Sequence, residues 1–233
     1  MAFLKRLIRA LPLLLLSPFL MAFSFVCLVA VQLFTRRGPL PAARKPRNHA
    51  ATVVIPNWNG KHLLAKYIPD LCTALAGNPE NEILVVDNGS IDGSADFLRA
   101  NFPQVTVLAL PENLGFGGGS NAGFRAAKND IVVLLNSDMR VAHDFLAPLL
   151  AGFDDADVFA VSCQIFFTDP AKVREETGLT QGWWQDGNLR VRHRIDEQVT
   201  ELFPCFYGGG GSCAYDRDKF LELGAFDPLL APF

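Results

Sequence analysis

The sequence predicts an α/β domain, a mostly parallel sheet with helices on both faces, preceded by an N-terminal transmembrane helix. The first observation behind this is a set of short aliphatic runs: "TVVIP" (Thr52 to Pro56), "EILVVD" (Glu82 to Asp87), "VTVLAL" (Val105 to Leu110) and "IVVLL" (Ile131 to Leu135). Their apolar residues are continuous instead of alternating, as expected for strands buried on both faces of a parallel sheet. The second is that helical stretches, Lys61 to Ala76, Asp92 to Phe102 and Gly118 to Lys128, fall between these runs. The third is an apolar segment from Ala10 to Phe34 without one charged residue.

That segment is long enough to cross a hydrocarbon core of about 30 Å as a helix. It exceeds the core of a cleaved secretory signal, and no small-x-small cleavage site precedes Arg36, so residues 1–35 are expected to be a membrane anchor. Pro12 and Pro18 leave a kinked or re-entrant segment open. Lys5, Arg6 and Arg9 precede the segment, whereas Arg36, Arg37, Arg44, Lys45 and Arg47 follow it. The excess predicts a single-pass topology with the C-terminal domain on the cytoplasmic side. Residues 36–50, "RRGPLPAARKPRNHA", read as a basic, Pro-rich linker lying against an anionic membrane surface or serving as a solvated tether.

The remaining residues, 51–233, are expected to form one domain without an internal repeat. Past the fourth run, His143 to Phe153 suggests a helix and Val158 to Phe166 another strand. Thr168 to Thr200 is polar, aromatic and weakly periodic, and is expected to be a loop region. A formal net charge of −3 gives no reason to expect a nucleic-acid partner. The 5 Cys include no C-x-x-C pair, which suits a reducing compartment, and His193 has no partner at metal-ligand spacing.

In parallel α/β sheets, ligands bind beyond the carboxyl ends of the strands. Here the four runs end in "PNWNG" (Pro56 to Gly60), "DNGSIDGS" (Asp87 to Ser94), "PENLGFGGGSNAG" (Pro111 to Gly123) and "NSD" (Asn136 to Asp138). Each has a structural explanation by itself: Asn-Gly turns, Ser90 or Asp92 as a helix cap, a flexible glycine loop, Asp138 as a cap for a helix near Val141. Together on one edge, they point to a polar site. The glycine cluster has neither the lysine of a phosphate loop nor a place after the first strand, so neither nucleotide-loop fingerprint applies.

These blocks carry a resemblance. "VVIPNWNG", "ILVVDNGSIDGS", "ENLGFGGGSNAG", "LLNSD" and "GGGGSCAYDRDKFLELGAFDP" resemble, in order and spacing, the blocks of family 2 glycosyltransferases with the GT-A fold, in particular the rhamnosyltransferase-like branch. The resemblance covers about Thr52 to Phe233.

The resemblance implies an inverting transfer of a sugar from dTDP-rhamnose or a UDP-sugar to a glycan or lipid-linked acceptor, of the kind used in cell-wall or polysaccharide biosynthesis. "NSD" falls at the family's D-x-D position, so Asp138 is expected to hold a divalent cation, Mg²⁺ or Mn²⁺, against the donor diphosphate. Asn136 replaces one acid of that motif. Asp87 resembles the acid that accepts from a pyrimidine imide N–H. Pro56, Asn57, Asn59 and Asn88 would line the nucleoside pocket, and Asn113, Gly117 and Asn121 would reach ribose, diphosphate or donor sugar. Gly209, Gly210 and Gly211 would pass close to donor sugar and acceptor. Trp58 is expected in the core or the pocket wall. Trp183 and Trp184 would stack on sugar rings or pack the loop, and Arg190, Arg192, His193 and Arg194 would attract a lipid-linked diphosphate or form a solvated face. In relatives an acidic pair supplying the general base follows "GAFDP". The expectation is therefore a C-terminally incomplete domain whose base lies beyond Phe233, Asp227 belonging to the "FDP" turn. A nucleotide-sugar binder without transfer activity and a sugar nucleotidyltransferase are the alternatives.

Overall fold

The computed structural model describes residues 2–34, 44–166, 169, 179–193, 201–227 and 229. The expectations for Arg36, Arg37 and Arg194 lie outside the described residues. Two compact units result, Met1–Ala42 and Ala43–Phe233. In the first, α1 (Ala2–Phe34) runs through both Pro12 and Pro18 without interruption. Pro18 has no N–H for the carbonyl four residues before it, and the Ser17 hydroxyl donates to that Leu14 oxygen at 3.1 Å. Its Ala10–Val31 stretch is apolar and long enough to cross a membrane.

The second unit is built on a six-stranded sheet. Chain order is β1 (Ala51–Asn57), α2 (Lys61–Leu75), β2 (Glu82–Asn88), α3 (Ser94–Asn101), β3 (Val105–Leu110), α4 (Gly115–Ala126), β4 (Ile131–Leu135), α5 (Leu146–Ala151), β5 (Ala160–Ser162), β6 (Thr180–Gln185), β7 (Asn188–His193), β8 (Ser212–Asp216) and α6 (Arg217–Glu222). The spatial order is β3-β2-β1-β4-β8-β5, with β6 and β7 as a separate two-stranded ribbon. β1 pairs in parallel with β2 and β4, and β2 with β3. β8 runs antiparallel to both β4 and β5. The mostly parallel α/β architecture expected from the aliphatic runs is the one observed.

Alternating side chains divide the core into two layers. On one face Val53, Ile55, Val85, Val133 and Leu135 meet Leu64, Ile68 and Leu71 of α2, Leu98 of α3 and Leu149 of α5. On the other, Val54, Leu84, Val86, Val132 and Leu134 meet Phe124 of α4 and Phe220 of α6. Those two rings stack at 3.9 Å between centroids.

α4 begins at Gly115, three residues before the expected start, so the glycine cluster is helical. Glycine costs a helix about 1 kcal/mol relative to alanine, and the sheet explains why it is present. A Cβ on Gly119 would lie 2.9 Å from Asn88 Nδ2, and one on Gly123 would collide with Val54 and Val86. The helix therefore lies closer to β1 and β2 than any side chain would permit. Gly89, just after β2, is doubly constrained: its φ is +71°, and a Cβ would sit 2.7 Å from the Glu112 carbonyl carbon and 2.8 Å from Asn113 N.

Three other expectations need correction. The helix expected over His143 to Phe153 shrinks to α5 and a following 3₁₀ turn, Gly152–Asp154. The strand expected over Val158 to Phe166 shrinks to β5. Thr168 to Thr200 contains the β6–β7 ribbon where a loop was expected, because the turn at Asp186 and Gly187, both at positive φ, pairs Trp183 with Arg190 and Trp184 with Leu189.

The described end of the basic linker makes ion pairs with the domain. Asp130, 5% exposed, accepts from Arg47 Nη2 at 2.9 Å, Arg47 Nε at 3.1 Å and Arg47 N at 3.0 Å. Arg44 bridges Asp130 and Asp218, and Lys45 pairs with Asp154 at 3.0 Å. The Arg47 guanidinium holds the Asp130 carboxyl down to about 2, against the opposing effect of burial.

Asp130→Asn is expected to lower stability near neutral pH by on the order of 1 to 2 kcal/mol, after allowing for solvent around the arginines. A depressed carboxyl contributes fully above its ordinary value of 3.8, and the contribution is lost as pH falls towards about 2. In denaturant titrations the gap between wild type and variant should close over that interval; a gap independent of pH would assign the loss to packing.

Gly89→Ala should be more destabilising than Gly187→Ala. Both positions have φ above +70°, but only Gly89 faces main chain, whereas Gly187 faces open space. The shared backbone strain is worth about 1 to 2 kcal/mol, and thermal unfolding of the pair isolates the steric excess at Gly89. Equal losses would show that the β3–α4 loop yields freely.

Candidate functional site

Loops after β1 and β2 are joined side by side. Asn57, the last residue of β1, is 2% exposed, and its Nδ2 donates to Asp87 Oδ1 at 3.4 Å and Ser90 Oγ at 3.3 Å. Asn59 sits at φ +52°, a conformation asparagine tolerates. Its N–H donates to Ser90 Oγ and its Oδ1 accepts from Ile91 N, both at 2.9 Å. Asp92 joins two helix starts, accepting from Lys61 N at 2.9 Å and Ser94 N at 3.0 Å. Burial pushes the Asp92 carboxyl up, but the Ser94 hydroxyl and these amides outweigh it and hold the group below its usual range. The N-cap position of α3 itself is Gly93, and Asp92, one residue before it, accepts from the first helical N–H.

The next loop is pinned from within the sheet. Asn88 Nδ2 donates to Asn113 Oδ1 and to the Gly115 carbonyl, and Asn88 Oδ1 accepts from Leu114 N, all at 2.9 Å. Asn113 Oδ1 also accepts from Gly115 N at 2.8 Å. Asn121 exchanges two hydrogen bonds with the Phe226 main chain, at 2.9 and 3.0 Å. Gly117 lies against Phe226 as well, its Cβ position 3.2 Å from the Phe226 Cβ. The described hydrogen bonds of the Asn59, Asn88 and Asn121 side chains run to the loops and to the "GAFDP" segment, which they fix. Asp227 keeps its expected place in the turn, accepting from Leu229 N at 2.9 Å.

Two carboxylates contrast with this. Asp87 is buried, yet the only hydrogen bond to its carboxylate among the described residues is the long one from Asn57. Asp138 is exposed and has no ion pair or hydrogen bond there. It caps no helix near Val141, since the next helix starts at Leu146. Instead, Met139 N bonds Asn136 O at 3.3 Å and closes a turn that presents Ser137 and Asp138. Strand order places Asp87 near the end of β2 and Asp138 in the turn after β4, the two strands that flank β1. The buried Asn57 Oδ1 lies at the end of the strand between them and has no partner. Trp58, expected in the core or the pocket wall, is 61% exposed.

A glycine segment adjoins Asn136. Asn136 N donates to Gly211 O at 2.9 Å, because β8 begins beside the end of β4. Gly209 is held on both sides, its N–H donating to Ser162 Oγ at 3.3 Å and its carbonyl accepting from the Tyr215 hydroxyl at 3.2 Å. Burial pushes the Tyr215 hydroxyl up, so it remains a donor, and pushes the neighbouring Cys213 thiol up to about 12, so it remains unreactive. Gly209, Gly210 and Gly211 form one wall of a cleft of about 290 Å³, which Asn136, Ser162, Thr180, His193 and Tyr207 also line. The Tyr207 hydroxyl and His193 Nε2 are 3.2 Å apart. Ser162, Thr180 and Tyr207 escaped sequence reasoning, since no motif marks them and only folding brings their segments together. Ser90 was visible only as a possible cap.

Known proteins match this arrangement. Residues 52–224 match the model of Glycosyl transferase family 2. The chain is 32% identical over 120 residues to an uncharacterized glycosyltransferase of Bacillus subtilis, YfnE, which covers 50% of this chain and 30% of that protein. It is 27% identical over 109 residues to the dolichyl-phosphate beta-glucosyltransferase ALG5C of Trichomonas vaginalis, 43% of this chain and 32% of that one. The chain thus spans about a third of the length of these relatives. Among solved structures, a mannosyltransferase from Pyrobaculum calidifontis in complex with GDP-Man and Mn²⁺ superposes with a TM-score of 0.54 at 21% identity, over 92% of this chain and 57% of that one. A fragment of S. aureus TarS in complex with UDP gives 0.56 at 17%, over 78% and 51%. These two share the fold. The family match takes in all four strand ends and the glycine segment beside Asn136, and the chain belongs to glycosyl transferase family 2.

Proposed function

We propose that the strand-end site holds a nucleoside diphosphate sugar, a UDP-sugar or dTDP-rhamnose, for inverting transfer to a glycan or lipid-linked acceptor. The observation that carries this reading is the pair of carboxylates with unspent oxygens, Asp87 and Asp138, ending the strands on either side of β1. Asp87 accepts from the base, where the buried, unpartnered Asn57 Oδ1 adds a second acceptor. A pyrimidine imide presents one N–H, which Asp87 accepts. Gly209 to Gly211 let main chain approach the sugar without a side chain intervening.

The residues fit a divalent cation in one specific way. Among the described residues no cluster of three His, Cys, Asp or Glu could hold a metal ion, and Asp138 is the carboxylate in the "NSD" turn. Mg²⁺ and Mn²⁺ suit one or two carboxylates completed by substrate phosphates, and Asn136 and Ser137 add neutral oxygens beside Asp138. Such an ion, when bound, would offset charge on the departing nucleoside diphosphate. The GDP-Man and Mn²⁺ held by the Pyrobaculum calidifontis neighbour, and the UDP of the TarS fragment, are of the ligand class proposed.

We further infer a single-pass anchor in α1 with the domain on the cytoplasmic side, supported by the uncharged Ala10–Val31 stretch and the larger basic cluster after it. Membrane association should resist carbonate extraction, and protease added outside sealed right-side-out vesicles should spare the domain. A soluble product starting after Phe34 would identify a cleaved signal instead.

Calorimetry on the full chain tests the site. UDP or dTDP should bind more tightly with Mn²⁺ or Mg²⁺ than with EDTA, and Asp138→Ala should abolish that difference without changing the circular dichroism spectrum. Asp87→Asn should weaken binding by roughly 1.5 to 3 kcal/mol, the range for a hydrogen bond to a charged group. Metal-independent binding would remove Asp138 from its role, and unchanged affinity in the Asp87 variant would return that residue to the turn.

A further inference from the structure

The β6–β7 ribbon hydrogen-bonds to neither edge of the main sheet. Residues directly opposite in an antiparallel pair share a face, so its register defines two surfaces. One carries Gln181 opposite Arg192 and Trp183 opposite Arg190. Arg192 lies over the Trp183 ring at 5.3 Å and donates to Gln181 Oε1 at 3.1 Å, and neither arginine has a carboxylate partner among the described residues. The other carries Trp184 opposite Leu189, Gly182 opposite Val191 and Thr180 opposite His193. The Phe206 ring lies against Gly182, which extends this second face. Trp184 is 75% exposed, and Leu189, Val191 and Phe206 are 46%, 45% and 49% exposed. A two-stranded ribbon is marginal by itself in water, and a contiguous apolar face of this kind marks an interaction surface.

The base of the apolar face is a wall of the site. Thr180 and His193, at the inner end of the ribbon, line the same cleft as Asn136 and Gly209 to Gly211. Thr180 also fixes the orientation of Tyr207, accepting from its N–H at 3.0 Å and donating to its carbonyl at 3.1 Å. Whatever covers the apolar face therefore meets the mouth of the cleft.

We propose that the occupant is an anionic lipid leaflet, with Trp184, Leu189, Val191 and Phe206 seated at the boundary of headgroups and acyl chains. Three features favour it over another protein. Tryptophan and arginine side by side are the composition of membrane interfaces, where the amphipathic ring sits at headgroup level and the long cation remains in the wet layer. The two arginines, which have no carboxylate partner among the described residues, complement anionic headgroups, in a chain whose overall charge is −3. The same chain carries the apolar helix Ala10–Val31, and the proposal rests on the anchor reading of that helix only to bring the ribbon near a bilayer. Seated in this way, the ribbon would open the cleft at the lipid surface, where an acceptor with a lipid tail would present its sugar.

The test uses the full chain reconstituted into liposomes, with Trp58→Phe and Trp183→Phe leaving Trp184 as the only tryptophan. Acyl-brominated phosphatidylcholine should quench Trp184 and shift its emission to the blue. Quenching should deepen when phosphatidylglycerol is included, and Arg190→Gln with Arg192→Gln should remove that increment while the circular dichroism spectrum stays unchanged. Flotation of the same samples reads the anchor separately. A chain that floats while Trp184 remains unquenched and open to acrylamide would overturn the ribbon proposal and leave the anchor intact. Shielding of Trp184 by a second copy or by added oligosaccharide, without quenching by brominated lipid, would overturn it too. A chain that does not float would remove both readings.

Discussion

The parallel pairing of β1 with β2 on one side and β4 on the other is the constraint from which the polar edge follows. Because all three strands point the same way, their carboxyl ends meet along one edge, and Asn57 is aligned with Asp87 by register. The chain leaves β1 towards β2 and β3 but returns to β1's other side as β4, so the connecting helices cover opposite faces. Between two such helices the edge opens into a crevice. Asp87 and Asp138 are brought there by strand direction alone. Neither needs a long loop to carry it.

The polar groups at this edge differ in how much of their hydrogen-bonding capacity the fold uses. A buried carboxamide left without partners costs roughly 1 to 3 kcal/mol, so Asn88 and Asn121 are satisfied inside the protein. Their bonds fix the β3–α4 loop and the segment before Asp227, and Gly119 and Gly89 clear the space for them. The two carboxylates are left with oxygens that the fold does not use. Asn57 falls between these cases, its amide nitrogen committed and its oxygen buried without a partner.

The opposite edge of the sheet answers to a different demand. Asp130 lies just before β4, nearly enclosed, and would be costly there as an unpaired charge. Arg47 meets it with a bidentate guanidinium and a backbone N–H, and Arg44 extends the network to Asp218. The segment ahead of β1, which by composition resembles a free basic tether, is thereby held against the domain. Arg44, Lys45 and Arg47 each pair with a carboxylate of the domain.

By itself the sequence determined the elements and their polarity. Continuous aliphatic runs such as Ile131 to Leu135 can be stable only when both faces are covered, and the switch to Asn136, Ser137 and Asp138 marks the exposed end of such a strand. The uncharged Ala10–Val31 stretch is likewise long and apolar enough to cross a membrane. These are local properties, carried by period and composition. Strand order, the close packing of the glycine-rich helix on the sheet, the β6–β7 ribbon and the partners of each asparagine were decided only by tertiary structure. Whether Asn88 faces a ligand or Asn113 depends on where α4 comes to rest, and that depends on Val54 and Val86, far away in sequence, accepting a glycine at Gly123. A side chain's hydrogen-bonding capacity is fixed by its identity, but the partner that uses it is set by contacts between segments, and no local pattern encodes those.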